Sequence, residues 1–152
     1  MARQLRYLED LVIGEAEWGI EELAVEDEMI DYAVRYDPWP FHVDTDAARQ
    51  SPLGGLTASS GYSLGLWYSS ANRGIWNRPE SPVALIAGLE MRLRYPNPLR
   101  PGDKVRSRVV VTSKRPSSKP GRGVAEGTSE LINQDGDTII DAEVVWLIST
   151  RP

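Results

Sequence analysis

Apolar and polar positions change period about halfway along the chain. From Glu26 to Tyr36, Met29, Ile30, Ala33 and Val34 recur at helical spacing. Acids fill the first turn of that segment and Arg35 the last, which suits the helix dipole. Pro38 ends the helix, because the residue ahead of a proline is pushed out of helical geometry. Asp44 is placed to N-cap a second, short helix, DTDAARQ, that stops near Ser51-Pro52. The run from Leu56 to Ala71, LTASSGYSLGLWYSSA, predicts a long helix. Gly61 and Gly65 each cost it about 1 kcal/mol relative to Ala. Packing must therefore hold it, and its small residues let it lie close against a neighbouring surface.

After Pro82 the period falls to two. In VALIAGLEMRLRY, Leu89, Met91, Leu93 and Tyr95 alternate with Glu90, Arg92 and Arg94. DKVRSRVVVTSKR alternates likewise after the turn NPLRPGD. GVAEGTSELIN and DTIIDAEVVWLIST meet at Gln134-Asp135-Gly136, a hairpin signal. A short strand near Ala16–Leu23 precedes the first helix. The order is strand, two helices, one long central helix, then at least four antiparallel strands. That order predicts an α+β domain with the long helix on one sheet face. No repeat or linker divides the 152 residues, so a single domain over 1–152 is expected.

Composition narrows the class. Apolar content is 41% and charged content 26%, as in soluble globular proteins. No apolar run is long enough to span a bilayer, and MARQLRYLEDL lacks the apolar stretch of a secretory signal. The absence of cysteine excludes disulfides, thiol chemistry and Cys-type zinc sites. A cytoplasmic location is expected. Charge is unevenly spread: residues 1–46 hold thirteen acids and three bases, residues 92–122 ten bases and one acid, Asp103. The basic segment suits a phosphate-bearing ligand, or simply neutralises the acidic half. A net charge of −5 and no interleaving of aromatic and basic residues argue against nucleic acid.

Candidate chemistry sits in YDPWPFHVD, Tyr36 to Asp44, which holds the only histidine, His42. Asp37 lies five residues ahead, and Pro38 and Pro40 reduce the freedom of the loop between them. An imidazole can take and give a proton near neutrality, and a neighbouring carboxylate can orient it or hold a water. Gly54 and Gly55 precede the expected long helix. Amides at a helix N-terminus are unpaired and face outward, and glycines admit a ligand closely; that is the physics of an oxyanion hole. A plain tight turn is the alternative reading of Gly-Gly.

Together, YDPWPFHVDTDAARQSPLGGLTAS resembles the signature of the MaoC-like dehydratases, or (R)-specific enoyl-CoA hydratases. That signature runs Asp, any residue, Asn or Gln, Pro, any residue, His, then a glycine turn opening the central helix. The segment from LRPGDKVRSRVVV to GRGVAEGTSELINQDGDTII is similar to the family's sheet. The resemblance implies a hot-dog fold, an antiparallel sheet wrapped around a long central helix. It implies a homodimer or higher homo-oligomer, with acyl chains buried near the subunit contact. Asp37 and His42 would be the catalytic pair and Gly54 the oxyanion amide, with Gly55 beside it. The reaction would be reversible hydration of an enoyl thioester, needing no metal or redox cofactor, with CoA as acyl carrier. Lys114, Arg115, Lys119 and Arg122 are the candidates for the CoA phosphates.

Two positions depart from the pattern. Trp39 stands where the family has Asn or Gln, so it would wall the acyl site or brace the loop. Counting from Gly54, Tyr62 stands where some hydratases carry a serine, with Ser60 and Ser63 close by. A thioesterase on the same fold, or a non-catalytic acyl-thioester-binding subunit, are the competing functions.

Overall fold

The structure, a computed structural model, describes residues 3–152. After a single 3-10 turn at Leu8–Asp10 come strands β1 (Ala16–Trp18) and β2 (Glu22–Leu23). Helices α1 (Glu26–Tyr36), α2 (Pro40–Val43), α3 (Thr45–Gln50) and α4 (Ser60–Ala71) follow, and α4 runs into a π-helical turn, Asn72–Trp76. Strands β3 (Leu85–Arg94), β4 (Lys104–Pro116), β5 (Arg122–Asn133) and β6 (Thr138–Ser149) complete the chain. The described residues form one six-stranded antiparallel sheet in the order β1-β4-β5-β6-β3, with β2 also on β4. The expected α+β order is therefore present, with α4 lying on one face of the sheet.

Alternation explains which face that is. Along β4, Val105, Ser107, Val109 and Val111 are buried, and along β6 so are Ile140, Ala142, Val144, Trp146 and Ile148. Trp67 and Ser70 of α4 meet this face, and Tyr62, Ser63 and Ala71 are buried beside them. The small residues of the helix bring polar atoms into the core, and each finds a partner. Ser70 Oγ donates to the Ile20 carbonyl (2.6 Å) and accepts from the Ser107 amide (2.8 Å). Ser107 Oγ donates to the Trp67 carbonyl (2.9 Å), and Trp67 Nε1 donates to Ser129 Oγ (2.8 Å). No buried side-chain nitrogen or oxygen among the described residues lacks a partner. An unmade bond there would cost about 1–3 kcal/mol.

Three expectations need correction. The long helix starts at Ser60, not Leu56, because residues 56–58 are non-helical and bonded elsewhere: the Thr57 amide to Phe41 (3.2 Å) and the Ala58 amide to Leu99 (3.0 Å). The first strand is two short pieces, interrupted where Gly19 and Ile20 meet α4 at Ser70. Val34 is 62% exposed, so the buried stripe of α1 is Met29 and Ala33 with Ile30 beside them. The bounds of α1 and the capping of α3 by Asp44, which accepts from the Asp46 and Ala47 amides, are as the sequence predicts.

Candidate active site

The last turn of α1 delivers Asp37. Its amide still bonds to the Ala33 carbonyl (2.8 Å), but its backbone has left helical geometry ahead of Pro38. The Trp39 amide then folds back on the Asp37 carbonyl (2.8 Å). Pro40 occupies the first position of the one-turn helix α2, where its missing N–H costs nothing. His42 therefore sits on a helical turn and not on an irregular loop, and its residue is only 9% exposed. The turn brings His42 Nε2 to 3.4 Å from Asp37 Oδ2.

The imidazole is held from both sides. Nδ1 lies 2.6 Å from the Thr57 carbonyl. A carbonyl only accepts, so Nδ1 carries a proton and donates it. In the neutral ring Nε2 is then the lone-pair nitrogen, and it faces Asp37. Phe41 packs edge-on against the ring, with centroids 4.6 Å apart. Asp37 accepts a second polar contact on the same oxygen: Ser59 Oγ donates to Oδ2 at 2.8 Å. Ser59 is the N-cap of α4, so the pair lies at that helix's N-terminus.

Gly54 is not at that terminus. It adopts φ 70° in a turn, and its amide donates to the Ser51 carbonyl (3.0 Å). The Gly54 N–H is thus occupied, five residues ahead of the cap. Gly55 lies under Arg100, whose Nη1 donates to the Gly55 carbonyl (3.0 Å) and Nη2 to the Leu53 carbonyl (2.5 Å). The first-turn amides of α4 are those of Ser60, Gly61 and Tyr62, which precede the first intrahelical bond, from Ser63 to Ser59. Gly61 is shared with the Ser59 hydroxyl at 3.4 Å.

Tyr62 turns away from the pair. Its hydroxyl donates to Glu28 Oε2 (3.0 Å) and accepts from the Val25 amide (3.2 Å). Burial raises its pKa above the ordinary tyrosine value, and the Glu28 carboxylate adds to that. Trp39 is 60% exposed and stacks on Phe41, rings nearly parallel and 6.0 Å apart, so it braces α2 and presents an open indole face near the pair.

The four basic candidates lie elsewhere. Leu99, Arg100 and the start of β4 are at the Asp37–His42 end, whereas Lys114, Arg115, Lys119 and Arg122 flank the far end of β4. A 13-residue strand puts roughly 40 Å between its ends at ~3.3 Å per residue. Lys114 Nζ is also engaged, donating to the carbonyls of Leu8 (3.0 Å), Glu9 (3.3 Å) and Leu11 (2.6 Å). Within one chain these residues do not meet Asp37 and His42. An apolar cavity of about 310 Å³ lies between α4 and β3, lined by Trp67, Tyr68, Trp76, Leu89, Met91 and Trp146 among others; Asp37 and His42 do not line it.

Thr57, Ser59 and Arg100 were not singled out as site residues by the sequence. For Ser59 a signal existed: a serine directly before a helical segment is an N-cap pattern, hidden here by the misplaced helix start. For Thr57 there was none, because its carbonyl does the work.

The family model for the MaoC like domain matches residues 11–132. The chain belongs to the MaoC-like domain family. A MaoC-like dehydratase from Rhodospirillum rubrum shares 29% identity, with 96% of this chain and 98% of that one covered and a TM-score of 0.86. A monoamine oxidase regulatory protein from Archaeoglobus shares 25%, with 100% and 99% covered and a TM-score of 0.86. An (R)-hydratase from A. caviae involved in PHA biosynthesis has the same fold at 20% identity, with 93% and 98% covered and a TM-score of 0.70. No curated protein sequence matches this one. The MaoC-like fold is the hot-dog fold, which a double-hotdog protein from Mycobacterium tuberculosis also shows, at 19% identity, a TM-score of 0.73, 96% of this chain covered and 44% of that one. Among the described residues no helix is long and apolar enough to cross a membrane.

Proposed function

We propose that this MaoC-like protein reversibly hydrates a 2-enoyl thioester carried on CoA. The observation that carries the reading is the Asp37–His42 pair, 3.4 Å apart at the N-terminus of α4, with the imidazole tautomer set by Thr57. Water held between Asp37 and His42 Nε2 would attack the β-carbon. Nε2 takes the water proton, and Asp37 stabilises the imidazolium that forms. The C=C electron pair moves toward the thioester oxygen, and the proton is then delivered to the α-carbon. Charge developing on the thioester oxygen would be met by first-turn amides of α4, with the dipole behind them. This role passes from Gly54, whose amide is used in its turn, to the Ser60–Tyr62 turn. No metal or redox group takes part in these steps.

The partner we infer is a second copy of the chain. Strand β3 ends the sheet and exposes Leu85, Ile86, Leu89 and Met91, beside the apolar cavity on α4. An unpaired apolar edge strand is a ready template for another chain.

His42→Gln and Asp37→Asn should each lower hydration kcat by at least ~10²-fold. The double variant should lose little more, because groups acting as a unit are non-additive. KM and the thermal midpoint should move far less. The assay is hydration of a panel of enoyl-CoAs, with free thiol followed in parallel. Near-wild-type turnover in His42→Gln would refute the mechanism, and thiol release without a 3-hydroxyacyl product would mark a thioesterase instead.

A further inference from the structure

We infer that Ser59 is a positioning residue for the acid–base pair, holding Asp37 by its Oδ2 so that the carboxylate faces His42 in one orientation. The inference rests on the Asp37–His42 reading above and adds a residue that the family resemblance did not point to.

Ser59 is 3% exposed, so no water competes for its hydroxyl. A hydroxyl has a single proton to give, and this one is committed to Asp37 Oδ2 at 2.8 Å. The oxygen's lone pairs serve the Gly61 amide only weakly, at 3.4 Å. An N-cap serine normally acts through that second bond; here the stronger contact is to the carboxylate. The backbone beneath Ser59 is firmly placed. Its carbonyl accepts from the Ser63 amide (3.1 Å), and its neighbour Ala58 donates to Leu99 (3.0 Å). Two residues upstream, the Thr57 carbonyl holds His42 Nδ1. One strap of three residues therefore grips both members of the pair, Thr57 the imidazole and Ser59 the carboxylate. Asp37 has no comparable restraint from its own segment, since it leaves α1 at φ −156° and its side chain is a third exposed. Without Ser59 the carboxylate is free to rotate toward solvent and away from Nε2.

Three substitutions separate positioning from helix capping. Ser59→Ala removes the hydroxyl and the cap together. Ser59→Gly removes the hydroxyl but keeps nearly all the stability of a capped helix. Ser59→Thr keeps a hydroxyl at the same atom. A hydrogen bond to a charged group corresponds to about 10–100-fold in rate, so kcat should fall by that factor in Ser59→Ala and Ser59→Gly. KM should stay within about threefold, as for a group acting after binding. Ser59→Thr should recover most of the loss.

A second readout does not depend on turnover. His42 is the only histidine, so its ring nitrogens give the only imidazole signals in a ¹⁵N spectrum. In Ser59→Ala and Ser59→Gly the Nε2 signal should shift as Asp37 departs, while Nδ1, held by Thr57, should stay. An unmoved Nε2 signal, or kcat within about twofold of wild type in both variants, overturns the inference. His42→Gln run alongside tells the two failures apart. If it is inactive while Ser59→Gly is intact, only the Ser59 role falls; if it is fully active, the proposed function falls with it.

Discussion

At Gly61 two local effects oppose each other. Alanine in a helix is favoured over glycine by about 1 kcal/mol. Yet a Cβ at Gly61 would run into the Tyr32 hydroxyl, with the ring carbon Cζ only 2.7 Å away. Tyr32 cannot step aside cheaply, because its ring packs on Tyr36 (centroids 5.0 Å) and on Tyr62 (6.3 Å). Overpacking of this kind costs about 1–3 kcal/mol, so the clash wins. Gly61→Ala should therefore lower the thermal midpoint, and should cost less in a Tyr32→Ala background. A raised midpoint would mean the ring moves freely. The contact matters to the site, because Tyr32 is the point where α1 leans on the first turn of α4, five residues before Asp37.

Among the elements, β4 does more than bury valines. Its far end carries Lys114, whose ammonium closes the carbonyl end of the 3-10 turn Leu8–Asp10 through three oxygens. Hydrogen bonds from a charged donor are worth about 1.5–3 kcal/mol. Lys114→Met should accordingly lower stability by an amount on that scale, measured by denaturant midpoint, and leave KM for CoA esters unchanged. A raised KM with intact stability would return Lys114 to the ligand. The same element's near end works for the site: Leu99 and Arg100, in the turn before it, tie down residues 53–58 and so place Thr57 and Ser59.

At the scale of the whole molecule, β3 forms one edge of the sheet, opposite the edge made by the short strands β1 and β2. Strand β3 pairs only with β6 and shows apolar residues on the free side. With a second copy there, the Leu89 and Met91 surface and the cavity above it would be covered. The expected state in dilute solution is a stable homodimer, and light scattering at micromolar concentration tests it. Leu89→Lys with Met91→Lys should give monomers, since edge lysines block strand pairing. An active wild-type monomer would defeat the expectation.

Much of this was local and therefore legible in one dimension. The bounds of α1 follow from its 3.6-residue period and from Pro38, and the cap of α3 from Asp44. The β5–β6 hairpin follows from Gln134-Asp135-Gly136, where Gly136 takes φ 83°. The Asp-Pro-x-Pro-x-His spacing also carries its meaning within six residues, since a proline-led turn is enough to bring Asp37 and His42 together. What only the tertiary structure decided involves partners distant in sequence. Thr57 and Ser59 reach His42 and Asp37 across 15 and 22 residues, and Lys114 reaches Leu8 across 106. Helix α4 starts at Ser60 because Leu99 and Phe41 claim the amides before it, which no propensity of Leu56 or Thr57 foretells. A side chain's type limits what it can bond; the packing of remote backbone settles which donor meets it. For that reason the Asp37–His42 juxtaposition was legible in the sequence, and the contacts that Thr57 and Ser59 make to it were not.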